Sequence, residues 1–496
     1  MYPDTKGKSI MIQGTASHAG KSLITAIILR VLSDSGYSVA PFKAQNMSLN
    51  SYVTVDGYEV ARSQAVQALA ARCLLEKEMN PILLKPTGDT RSQVILCGKP
   101  FRDMDINQYY SEFLPHIGSL VVRQSLCSLL SRFDVVVIEG AGSPAEINLY
   151  NKDITNMKVA DLADAPVILV GDIERGGVFA SLYGTYLLLR EDHKPRVKGI
   201  IINKFRGEKS ILEDGIAFLE GKIGAPVLGV MPFIHHALLE EDSLGISNSQ
   251  KGSIHIAVIR FPHISNFTDF DPLKEERVIF VRTLIELGEP DAIILPGTKN
   301  TVEDLLWLKR SGLAGKIQSL AQKTVIVGIC GGYQMLGDSI TDEHGVESTG
   351  GSVRGLSLLK GETSFTTYSK SLRRVEASIL DNTIFSSITG DTVTGYEIHM
   401  GTTTTRSPPL FCVEGKGEGA IEGSTFGTYL HGIFDNSHFC DAFLDYLRRR
   451  KGLKTGYRTK SIQVKWEESI ERLSTRFLEA IDWNSILHII FGDTHV

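Results

Sequence analysis

The sequence predicts an α/β protein with two domains in series, followed by a helical extension. At 496 residues the chain is too long for one ordinary hydrophobic core. Short apolar runs of strand length alternate with helical patterns in both parts of the chain, and this alternation predicts parallel, doubly wound sheets. We expect the first domain at 1–233, a linker at 234–252, the second domain at 253–450 and the extension at 451–496.

The composition narrows the class of protein. The net charge of -5 argues against a nucleic acid as partner, because nucleic-acid binding needs a basic face. No apolar run reaches the roughly 18 residues that a membrane span needs, and the first strand-like run begins too early for a signal peptide. The six cysteines have no CxxC spacing, which indicates a reducing cytoplasm and no structural zinc site.

A strand, a glycine-containing loop and a helix open the first domain. Ser9–Ile12 is a short apolar strand, and helical periodicity covers 23–33. A loop in this position binds phosphate oxygens through backbone N–H groups, while its lysine, Lys21, reaches the outer phosphates and its serine, Ser22, meets Mg²⁺. The usual spacing would place a glycine at Thr15, so the loop is a variant Walker A motif. The predicted ATP ligands are Gly14, Thr15, Gly20, Lys21 and Ser22.

Polar side chains follow several other predicted strands, at the edge where open α/β sheets bind ligands. Glu139 ends an apolar strand, as a Walker B carboxylate would, and is a predicted Mg²⁺ ligand beside Ser22; a solvated or helix-capping acid is the alternative. Asn203 ends another strand and is a candidate for contact with the base of ATP, although a simple turn residue would also fit. Further polar residues beyond strand ends are Lys43, Gln45, Asn46, Asp172, Glu174 and Arg175.

A cysteine between a strand and a helix marks the second domain. Cys330 follows the apolar strand Lys323–Val327 and is flanked by glycines, which allow a sharp turn and leave the sulfur accessible. A helical pattern begins near Met335, and a helix N-terminus behind the sulfur favours thiolate, as at a nucleophile elbow. A buried structural cysteine is the alternative. Gly297 lies in a tight turn whose backbone N–H groups could stabilise an oxyanion.

A cysteine nucleophile needs a base, which the fold brings close. Among the 13 histidines, His431 stands out because it follows a strand and precedes a glycine. His399 is the competing candidate, within a segment of alternating polar side chains. Either could instead be a packed or solvated histidine.

The C-terminal segment Val464–Ile481 is amphipathic, with its large apolar side chains on one face. The opposite face carries both acidic and basic residues. That mixed charge favours docking on the protein itself over binding to anionic lipid.

Two sets of motifs resemble known families. Gly328–Gln334 together with Tyr429–Gly432 resembles the class I glutamine amidotransferase domain, and the Gly14–Ser22 loop resembles that of the dethiobiotin synthetase-related ATPases. The two domains in this order resemble the corrinoid amidating enzymes, over essentially the whole chain to about residue 450. Longer segments agree with that family: Lys43–Asn50, Asn80–Pro86 and Gly171–Phe179.

The resemblance implies ATP- and glutamine-dependent amidation of the b, d, e and g carboxylates of adenosylcobyrinic acid a,c-diamide, giving adenosylcobyric acid in cobalamin biosynthesis. Cys330 would hydrolyse glutamine through a thioester, with Gly297, Gly331 and Gln334 binding glutamine or its oxyanion. ATP and Mg²⁺ would activate each carboxylate by phosphorylation before ammonia attacks. The candidates for substrate binding are Lys43, Gln45, Asn46, Asp172, Glu174 and Arg175. The implied partners are small molecules: corrinoid, L-glutamine and ATP; the oligomeric state stays open.

One position departs from the class I pattern. These domains usually carry His-x-Glu, in which the glutamate orients the imidazole, whereas this chain reads His431-Gly432-Ile433. We therefore expect a Cys330–His431 dyad, with His431 held by a backbone carbonyl and slow glutamine hydrolysis when the other substrates are absent. Glu397 is a less favoured replacement and is expected to contact substrate or the other domain.

Other functions stay open. A cobyrinic acid a,c-diamide synthase would use the same chemistry on other carboxylates, and another glutamine-dependent carboxylate amidoligase would share both domains. Outside enzymes, a partitioning-type ATPase switch has a similar loop. Such switches usually carry an extra lysine near the start of the loop, where this chain has Gly14 and Thr15, and they have no need of a glutaminase domain.

Overall fold

The computed structural model describes residues 7–88, 90–236, 238, 247–348, 350–456 and 458–492. We call 7–236 the N-terminal half, 247–456 the C-terminal half and 458–492 the extension. Each half contains a parallel sheet flanked by helices, so the predicted α/β class with two sheets is confirmed. Most of the predicted linker, at 237 and 239–246, lies outside the described residues.

The elements of the N-terminal half run from Lys8 to Pro232. Its strands are β1 (Lys8–Gly14), β2 (Val39–Phe42), β3 (Gln45–Met47), β4 (Ser51–Val53), β5 (Glu59–Ala61), β6 (Ile82–Pro86), β7 (Arg91–Leu96), β8 (Lys99–Asp105), β9 (Val135–Glu139), β10 (Val167–Asp172), β11 (Val197–Phe205) and β12 (Val227–Pro232). Its helices are α1 (Lys21–Asp34), α2 (Arg62–Ala71), α3 (Ile106–Gln108), α4 (Ser119–Leu130), α5 (Met157–Ala163), α6 (Val178–Leu188) and α7 (Glu213–Ile223).

The main sheet of this half brings the predicted strand-end residues to one edge. Among the described residues its strands are parallel and ordered β12-β11-β10-β1-β9-β2. Both faces are covered, and the central strands are almost continuously apolar and buried, as in doubly wound sheets. The register pairs Ile12 with Glu139 and Asp172 with Asn203, so the carboxyl ends of β1, β9, β10 and β11 meet.

A smaller sheet, ordered β3-β6-β7-β8, and the hairpin β4–β5 extend this half toward the C-terminal half. The helical stretch 106–130 follows β8 and is the one stretch of the described residues that is long and apolar enough to cross a membrane. Its inner face, which includes Phe113, Val122, Leu126 and Leu129, is packed in the hydrophobic core. These contacts indicate an amphipathic helix that packs in the core of the N-terminal half.

The C-terminal half is richer in strands. They are β13 (Ser249–Gln250), β14 (His255–Ile259), β15 (Arg277–Val281), β16 (Ala292–Leu295), β17 (Val325–Ile329), β18 (Ser339–Asp342), β19 (Gly351–Arg354), β20 (Gly361–Ser364), β21 (Ser371–Ile379), β22 (Thr392–His399), β23 (Thr402–Thr405), β24 (Phe411–Val413), β25 (Lys416–Glu418), β26 (Ala420–Glu422), β27 (Thr425–Thr428) and β28 (Leu430–His431). Its helices are α8 (Leu284–Leu287), α9 (Thr301–Arg310), α10 (Leu313–Leu320), α11 (Gly331–Leu336) and α12 (Ser437–Arg450), and the extension adds α13 (Ile462–Ala480) and α14 (Trp483–Phe491).

The main sheet of the C-terminal half has the order β13-β15-β14-β16-β17-β27-β26 in the described residues. The five central strands are parallel, and the edge strands β13 and β26 are antiparallel to their neighbours. Because β13 falls at 249–250, these residues of the predicted linker belong to the second sheet. A strand of two polar residues has no periodicity from which a sequence pattern could find it. We propose that the second domain begins by Ser249.

The helix after Cys330 begins earlier than the sequence pattern indicated. It spans Gly331–Leu336 and ends before Ser339, where the predicted helix from Met335 gives way to strand β18. The glycines after the cysteine lower helix propensity but allow the close approach of this turn to β16. A Cβ atom on Gly332 would lie 1.9 Å from the carbonyl oxygen of Leu295.

The extension returns to the N-terminal half and completes its core. Helix α13 packs its apolar face on α1 and β12, in one cluster with strands β1 and β9. The predicted docking of the amphipathic segment on the protein is therefore confirmed. Bonds between backbones reinforce it, since the N–H of Asp482 donates to the carbonyl of Leu228 at 2.7 Å.

Shortening a buried side chain of α13 should destabilise the N-terminal half. Leu473 is fully buried, so Leu473→Ala leaves a cavity and should lower the free energy of unfolding by about 2–5 kcal/mol. Leu478 on the same helix is 48% exposed, and Leu478→Ala should change it by less than about 0.5 kcal/mol. Thermal unfolding of both variants measures the difference; equal melting temperatures would show that α13 does not belong to this core.

Candidate active sites

The predicted phosphate-binding loop joins β1 to α1 at the carboxyl edge of the first sheet. Gly20 has a φ of 104°, a left-handed conformation that glycine adopts without strain. The ammonium of Lys21 donates to the carbonyl oxygens of Ala16 and Gly142 at 2.9 Å each, so it lies across the mouth of the loop. Gly14 gives room for the Lys21 side chain, because a Cβ there would lie 3.0 Å from Lys21 Cγ. The N–H of Thr15 donates to the carbonyl of Val170 at 3.0 Å and fixes the loop to β10.

Glu139 is the centre of a buried polar cluster at this edge. Its Oε1 accepts from the hydroxyl of Ser22 at 2.8 Å and from the ammonium of Lys43 at 2.9 Å, and its Oε2 accepts from the amide of Gln67 at 2.5 Å. The described residues contain no group of three or more His, Cys, Asp or Glu side chains that could hold a metal. Mg²⁺ bound with nucleotide needs only one or two carboxylates, because phosphates and water supply the remaining ligands. Ser22 and Glu139 therefore fit the predicted Mg²⁺ site.

Asn203 lies beneath the loop. Its side chain is 1% exposed, and its amide donates to the carbonyl of Ala19 at 3.0 Å. In this arrangement Asn203 supports the conformation of the loop, and its contact with the base stays a prediction. Lys204, the next residue, donates to the carbonyl of His18 at 2.7 Å and pairs with Asp172 at 2.9 Å.

Some of the remaining strand-end candidates line a cavity, and others lie at the surface. Lys43, Gln45 and Asn46 line a cavity of about 330 Å³ together with the phosphate-binding loop. The phenol of Tyr109 donates to the Gln45 side chain, and Asn46 donates to Ser63 at 3.1 Å. Glu174 and Arg175 are exposed just beyond β10, outside the lining of this cavity, and Asp172 is held by Lys204. Their predicted contact with the corrinoid stays a prediction.

Cys330 stands at a strained elbow between β17 and α11. Its φ of 53° is in the left-handed region, which costs about 1–3 kcal/mol for a residue other than glycine and occurs mainly at functional sites. Its N–H donates to the carbonyl of Thr428, and its thiol lies 3.5 Å from the carbonyl oxygen of Ile398. Strand, sharp turn and helix have the form of a nucleophile elbow, as predicted.

The structure places His431 beside Cys330 and corrects the predicted support of its ring. The Nδ1 atom of His431 is 2.7 Å from the Asp269 carboxylate, so the expected backbone carbonyl partner is wrong. Asp269 lies in the 3-10 helix Phe267–Glu275, and its side chain is 2% exposed. The three side chains thus form a Cys–His–Asp arrangement, in which the carboxylate comes from a different part of the chain than in the His-x-Glu pattern.

Asp269 also sets the charge of the imidazole. Burial by itself would lower the pKa of His431, but the Asp269 carboxylate and the nearby Cys330 sulfur raise that pKa to about 9. A protonated imidazole next to the sulfur can act as a proton donor. The Cys330 sulfur can therefore attack an amide carbonyl, and the His431 imidazole can deliver a proton to the departing nitrogen.

The residues predicted to bind glutamine surround the same sulfur. The amide of Gln334 donates to the carbonyl of Met400 at 2.9 Å and to Tyr429 at 3.2 Å, which fixes its orientation. Gly297 and Gly331 allow close contact: a Cβ on Gly297 would lie 2.9 Å from His431 Cε1, and one on Gly331 would lie 2.7 Å from the methyl group of Thr298. The roles of these residues stay predictions.

The cavity at Cys330 is small. Its volume is about 40 Å³, room for about three water molecules and too little for glutamine. Residues of both halves line it, since Lys85 comes from β6 and Lys299, Glu347 and Lys370 from the C-terminal half. Glutamine entry therefore requires these walls to move apart.

His399 and Glu397 serve another cluster. The ring of His399 stacks on Tyr429 with centroids 3.7 Å apart, and its Nε2 is 3.7 Å from the Glu397 carboxylate. Arg373 binds Glu397 through two nitrogens, at 2.8 and 2.9 Å. Burial would raise the pKa of Glu397, but hydrogen bonds from His399 and Arg373 lower it to about 2. Glu397 is thus engaged away from His431.

Sequence reasoning missed three residues of these sites: Asp269, Gln67 and Arg62. Asp269 lies in a short irregular segment, where no periodicity singles out a side chain. Gln67 and Arg62 lie on α2, which is buried on several sides and therefore lacks a clear amphipathic pattern. A buried polar residue inside a helix is informative only once the burial is known.

Replacing Gly20 should weaken nucleotide binding. A Cβ at this position would lie 2.0 Å from the amide nitrogen of Asn203, in addition to the strain of its left-handed backbone. Gly20→Ala should lower ATP affinity about tenfold or more, measured by isothermal titration calorimetry. Gly36→Ala is the matched control, because Gly36 is also left-handed, with a φ of 91°, but has open space around it. Equal ATP affinity for Gly20→Ala and wild type would contradict this role of the loop.

Replacing Asp269 should change how stability depends on pH. Because the pKa of His431 rises from 6.5 to about 9 on folding, its protonated form stabilises the fold fully below pH 6.5, and this contribution is lost as the pH rises through 9. Asp269→Asn removes the carboxylate that raises the pKa. Its melting temperature should therefore fall less than that of wild type between pH 6.5 and 9.

The control for that experiment is Asp391→Asn, at an exposed position. It should show the same pH dependence as wild type. An equally steep fall for Asp269→Asn and wild type would mean that Asp269 does not hold the proton of His431.

Comparison with known proteins finds a matching family for each half of the chain. Residues 10–243 match the family described as the CobQ/CobB/MinD/ParA nucleotide binding domain, and residues 255–439 match the CobB/CobQ-like glutamine amidotransferase domain. The chain is 50% identical over 459 residues to the cobyric acid synthase of Geobacillus thermodenitrificans, covering 90% of each chain. It is 46% identical over 503 residues to the probable cobyric acid synthase of Methanothermobacter thermautotrophicus, covering 98% of this chain and 99% of that one. With this identity along nearly its whole length, the chain belongs to the cobyric acid synthase family.

Proposed function

We propose that this chain uses ATP and glutamine to amidate the b, d, e and g carboxylates of adenosylcobyrinic acid a,c-diamide, giving adenosylcobyric acid in cobalamin biosynthesis. The observation that carries the proposal is the presence of two sites in one chain. One is a phosphate-binding loop with Ser22 and Glu139, and the other is Cys330 with His431 and Asp269. The relatives that match 90–98% of the chain are named cobyric acid synthase or probable cobyric acid synthase, which favours this reaction over the a,c-diamide synthase.

The glutaminase step follows from the geometry at Cys330. The thiolate attacks the side-chain amide carbon of glutamine, and protonated His431 gives its proton to the departing nitrogen, which leaves as ammonia. Water then attacks the thioester, with neutral His431 as general base, and releases glutamate and the thiolate. Asp269 keeps the ring in the orientation and tautomer that both transfers need.

The synthetase step belongs to the first sheet. A carboxylate is a poor acyl donor, so transfer of the terminal phosphoryl group of ATP to it supplies a leaving group that ammonia can displace. Lys21 is positioned to reach the transferring phosphoryl group, and bound Mg²⁺, held by Ser22 and Glu139, would neutralise charge on the phosphates. Lys43 offsets the charge of Glu139 at 2.9 Å.

A second cavity next to the loop could hold one part of a large acceptor. It has a volume of about 150 Å³ and shares Met47 with the cavity of about 330 Å³ at the phosphate-binding loop. Its lining is mainly apolar, with Leu84 and Tyr109, but includes the cation of Arg91 and the carboxylate of Asp105. The volume is too small for a whole corrinoid, but apolar side chains beside the cation of Arg91 could contact one edge of a macrocycle that carries carboxylate side chains.

The expected consequences of this proposal include a location in the cytoplasm and a requirement for Mg²⁺. The expected partners are low-molecular-weight substrates. A net charge of -5 fits this expectation, because a nucleic-acid partner would need a basic face. A partitioning-type switch is disfavoured, because a switch has no use for a cysteine at a strained elbow with a histidine and a carboxylate in line.

Two substitutions separate the sites. Cys330→Ala should abolish amidation with glutamine but leave amidation with ammonium salts, because ammonia then reaches the acyl phosphate directly. Lys21→Ala should lower both by about 10²-fold or more, since it removes charge stabilisation of the transferring phosphoryl group. Product formation from the a,c-diamide, followed by chromatography, measures each rate.

Cys440→Ala is the matched control for the cysteine. Burial raises the pKa of Cys440 to about 12, so this thiol does not ionise near neutral pH and its loss should leave glutamine use intact. Retention of glutamine-dependent amidation in Cys330→Ala would refute the proposed function. Faster amidation of the precursor that lacks the a and c amides would instead support the a,c-diamide synthase.

A further inference from the structure

An arginine of the N-terminal half reaches the glutaminase site. Arg62 is the first residue of α2 and its side chain is 1% exposed. One of its terminal nitrogens donates to the phenol oxygen of Tyr396 at 2.8 Å and to Asp269 Oδ1 at 3.3 Å, and the other donates to Asp435 at 2.9 Å. All three partners belong to the C-terminal half.

Two of those partners touch the catalytic base. Asp269 accepts from Arg62 with Oδ1 and holds His431 Nδ1 with Oδ2, at 2.7 Å. The ring of Tyr396 stacks on that of His431, with centroids 5.6 Å apart. The guanidinium therefore fixes both the carboxylate that orients the imidazole and the ring on which the imidazole lies.

The same helix reaches the nucleotide site. The amide of Gln67 donates to Glu139 at 2.5 Å and lies 3.5 Å from the carbonyl oxygen of Ser22, and Gln64 donates to the Gln67 side chain at 3.0 Å. Arg62 and Gln67 are separated by about 7.5 Å of helix rise, since each residue adds 1.5 Å. One short, rigid element thus contacts the Mg²⁺ ligands at one point and the glutaminase site at another.

We propose that Arg62 is a positioning residue for glutamine hydrolysis, and that α2 couples the state of the nucleotide site to it. The inference rests on the proposed function, because it assumes that Cys330 hydrolyses glutamine. Nothing in the chemistry of Cys330 requires a residue from the other half. A guanidinium from that half makes hydrolysis depend on how the two halves are placed.

Such coupling requires that α2 make different contacts in the nucleotide-free and the nucleotide-bound chain, and the contacts of Glu139 can supply this difference. In this structure the Ser22 hydroxyl and the Gln67 amide both donate to Glu139. If Ser22 and Glu139 held the metal of a bound nucleotide, their oxygen atoms would turn toward that metal, and the hydrogen bond from Gln67 to the carboxylate would change. A shift of α2 then reaches Asp269 through Arg62, at the wall of a cavity that must widen for glutamine.

Arg62→Lys tests the positioning role. Lysine keeps the positive charge that the buried Asp269 and the half-buried Asp435 need, but its single ammonium cannot reproduce the planar fork. We expect kcat for glutamine hydrolysis to fall about tenfold with KM changed less than twofold, and alkylation of Cys330 by iodoacetamide in the nucleotide-free chain to slow by a similar factor. Amidation with ammonium salts should be retained, which also shows that the variant folds.

Two further variants complete the experiment. Tyr396→Phe removes the phenol that holds Arg62 and should lower the same kcat about threefold, in a chain that keeps all its charges. Gln67→Leu cuts α2 from Glu139, so the ratio of alkylation rates with and without a non-hydrolysable Mg²⁺–ATP analogue should fall to one. Arg72→Met is the matched control: Arg72 caps the same helix, pairs with Asp34 and is exposed, so its loss should leave kcat and alkylation within twofold of wild type.

The possible failures are distinguishable. If Cys330→Ala hydrolyses glutamine as fast as wild type, the proposed function is wrong. If wild type depends on Cys330 but folded Arg62→Lys and Tyr396→Phe both keep the wild-type kcat and alkylation rate, only the positioning role is overturned. If the alkylation ratio of wild type is itself one, or if Gln67→Leu keeps the ratio of wild type, the coupling through α2 is overturned.

Discussion

The guanidinium of Arg62 lies where the two halves meet, excluded from solvent and faced by two carboxylates and a phenol of the C-terminal half. Taking a charge out of water costs several kcal/mol, so a buried cation is stable only when its partners stand in place. The halves must therefore meet within hydrogen-bonding distance of this one side chain. A second buried cluster makes the same demand: Glu59 pairs with Lys85 of its own half at 2.7 Å and with Lys370 of the other at 2.5 Å.

The extension strengthens this constraint. Although it follows the C-terminal half in sequence, α13 contributes Ile470, Leu473 and Phe477 to the core of the N-terminal half. Trp466 of the same helix lies 5.6 Å from the Arg62 guanidinium, at a distance typical of a cation–π contact. Separating the halves would thus expose apolar surface as well as buried charge. Small displacements about Arg62, rather than separation, are the motions that this interface permits.

Local signals predicted most of the fold and most of the candidate residues of each site. The Gly20–Ser22 loop and the Cys330 elbow were found because a strand, a turn and a helix each have a pattern over a few adjacent residues. Asp269 was missed because its role depends on contact with His431, which lies 162 residues away in the chain. The segment around Asp269 also has neither helical nor strand periodicity. The short edge strand at 249–250 and the early start of α11 were missed for a related reason: tertiary contacts, not propensity, determine them.

The central claim is that Asp269 orients His431 in glutamine hydrolysis and is itself held in place by Arg62 of the N-terminal half. Proton NMR of the nucleotide-free chain tests it most directly, because a buried Nδ1–H donated to a carboxylate exchanges slowly and resonates far downfield. The account predicts such a resonance below pH 9, lost in His431→Gln and in Asp269→Asn, and shifted in Arg62→Lys. The same resonance, unshifted in Asp269→Asn, would contradict the account, and so would its absence from wild type at pH 7.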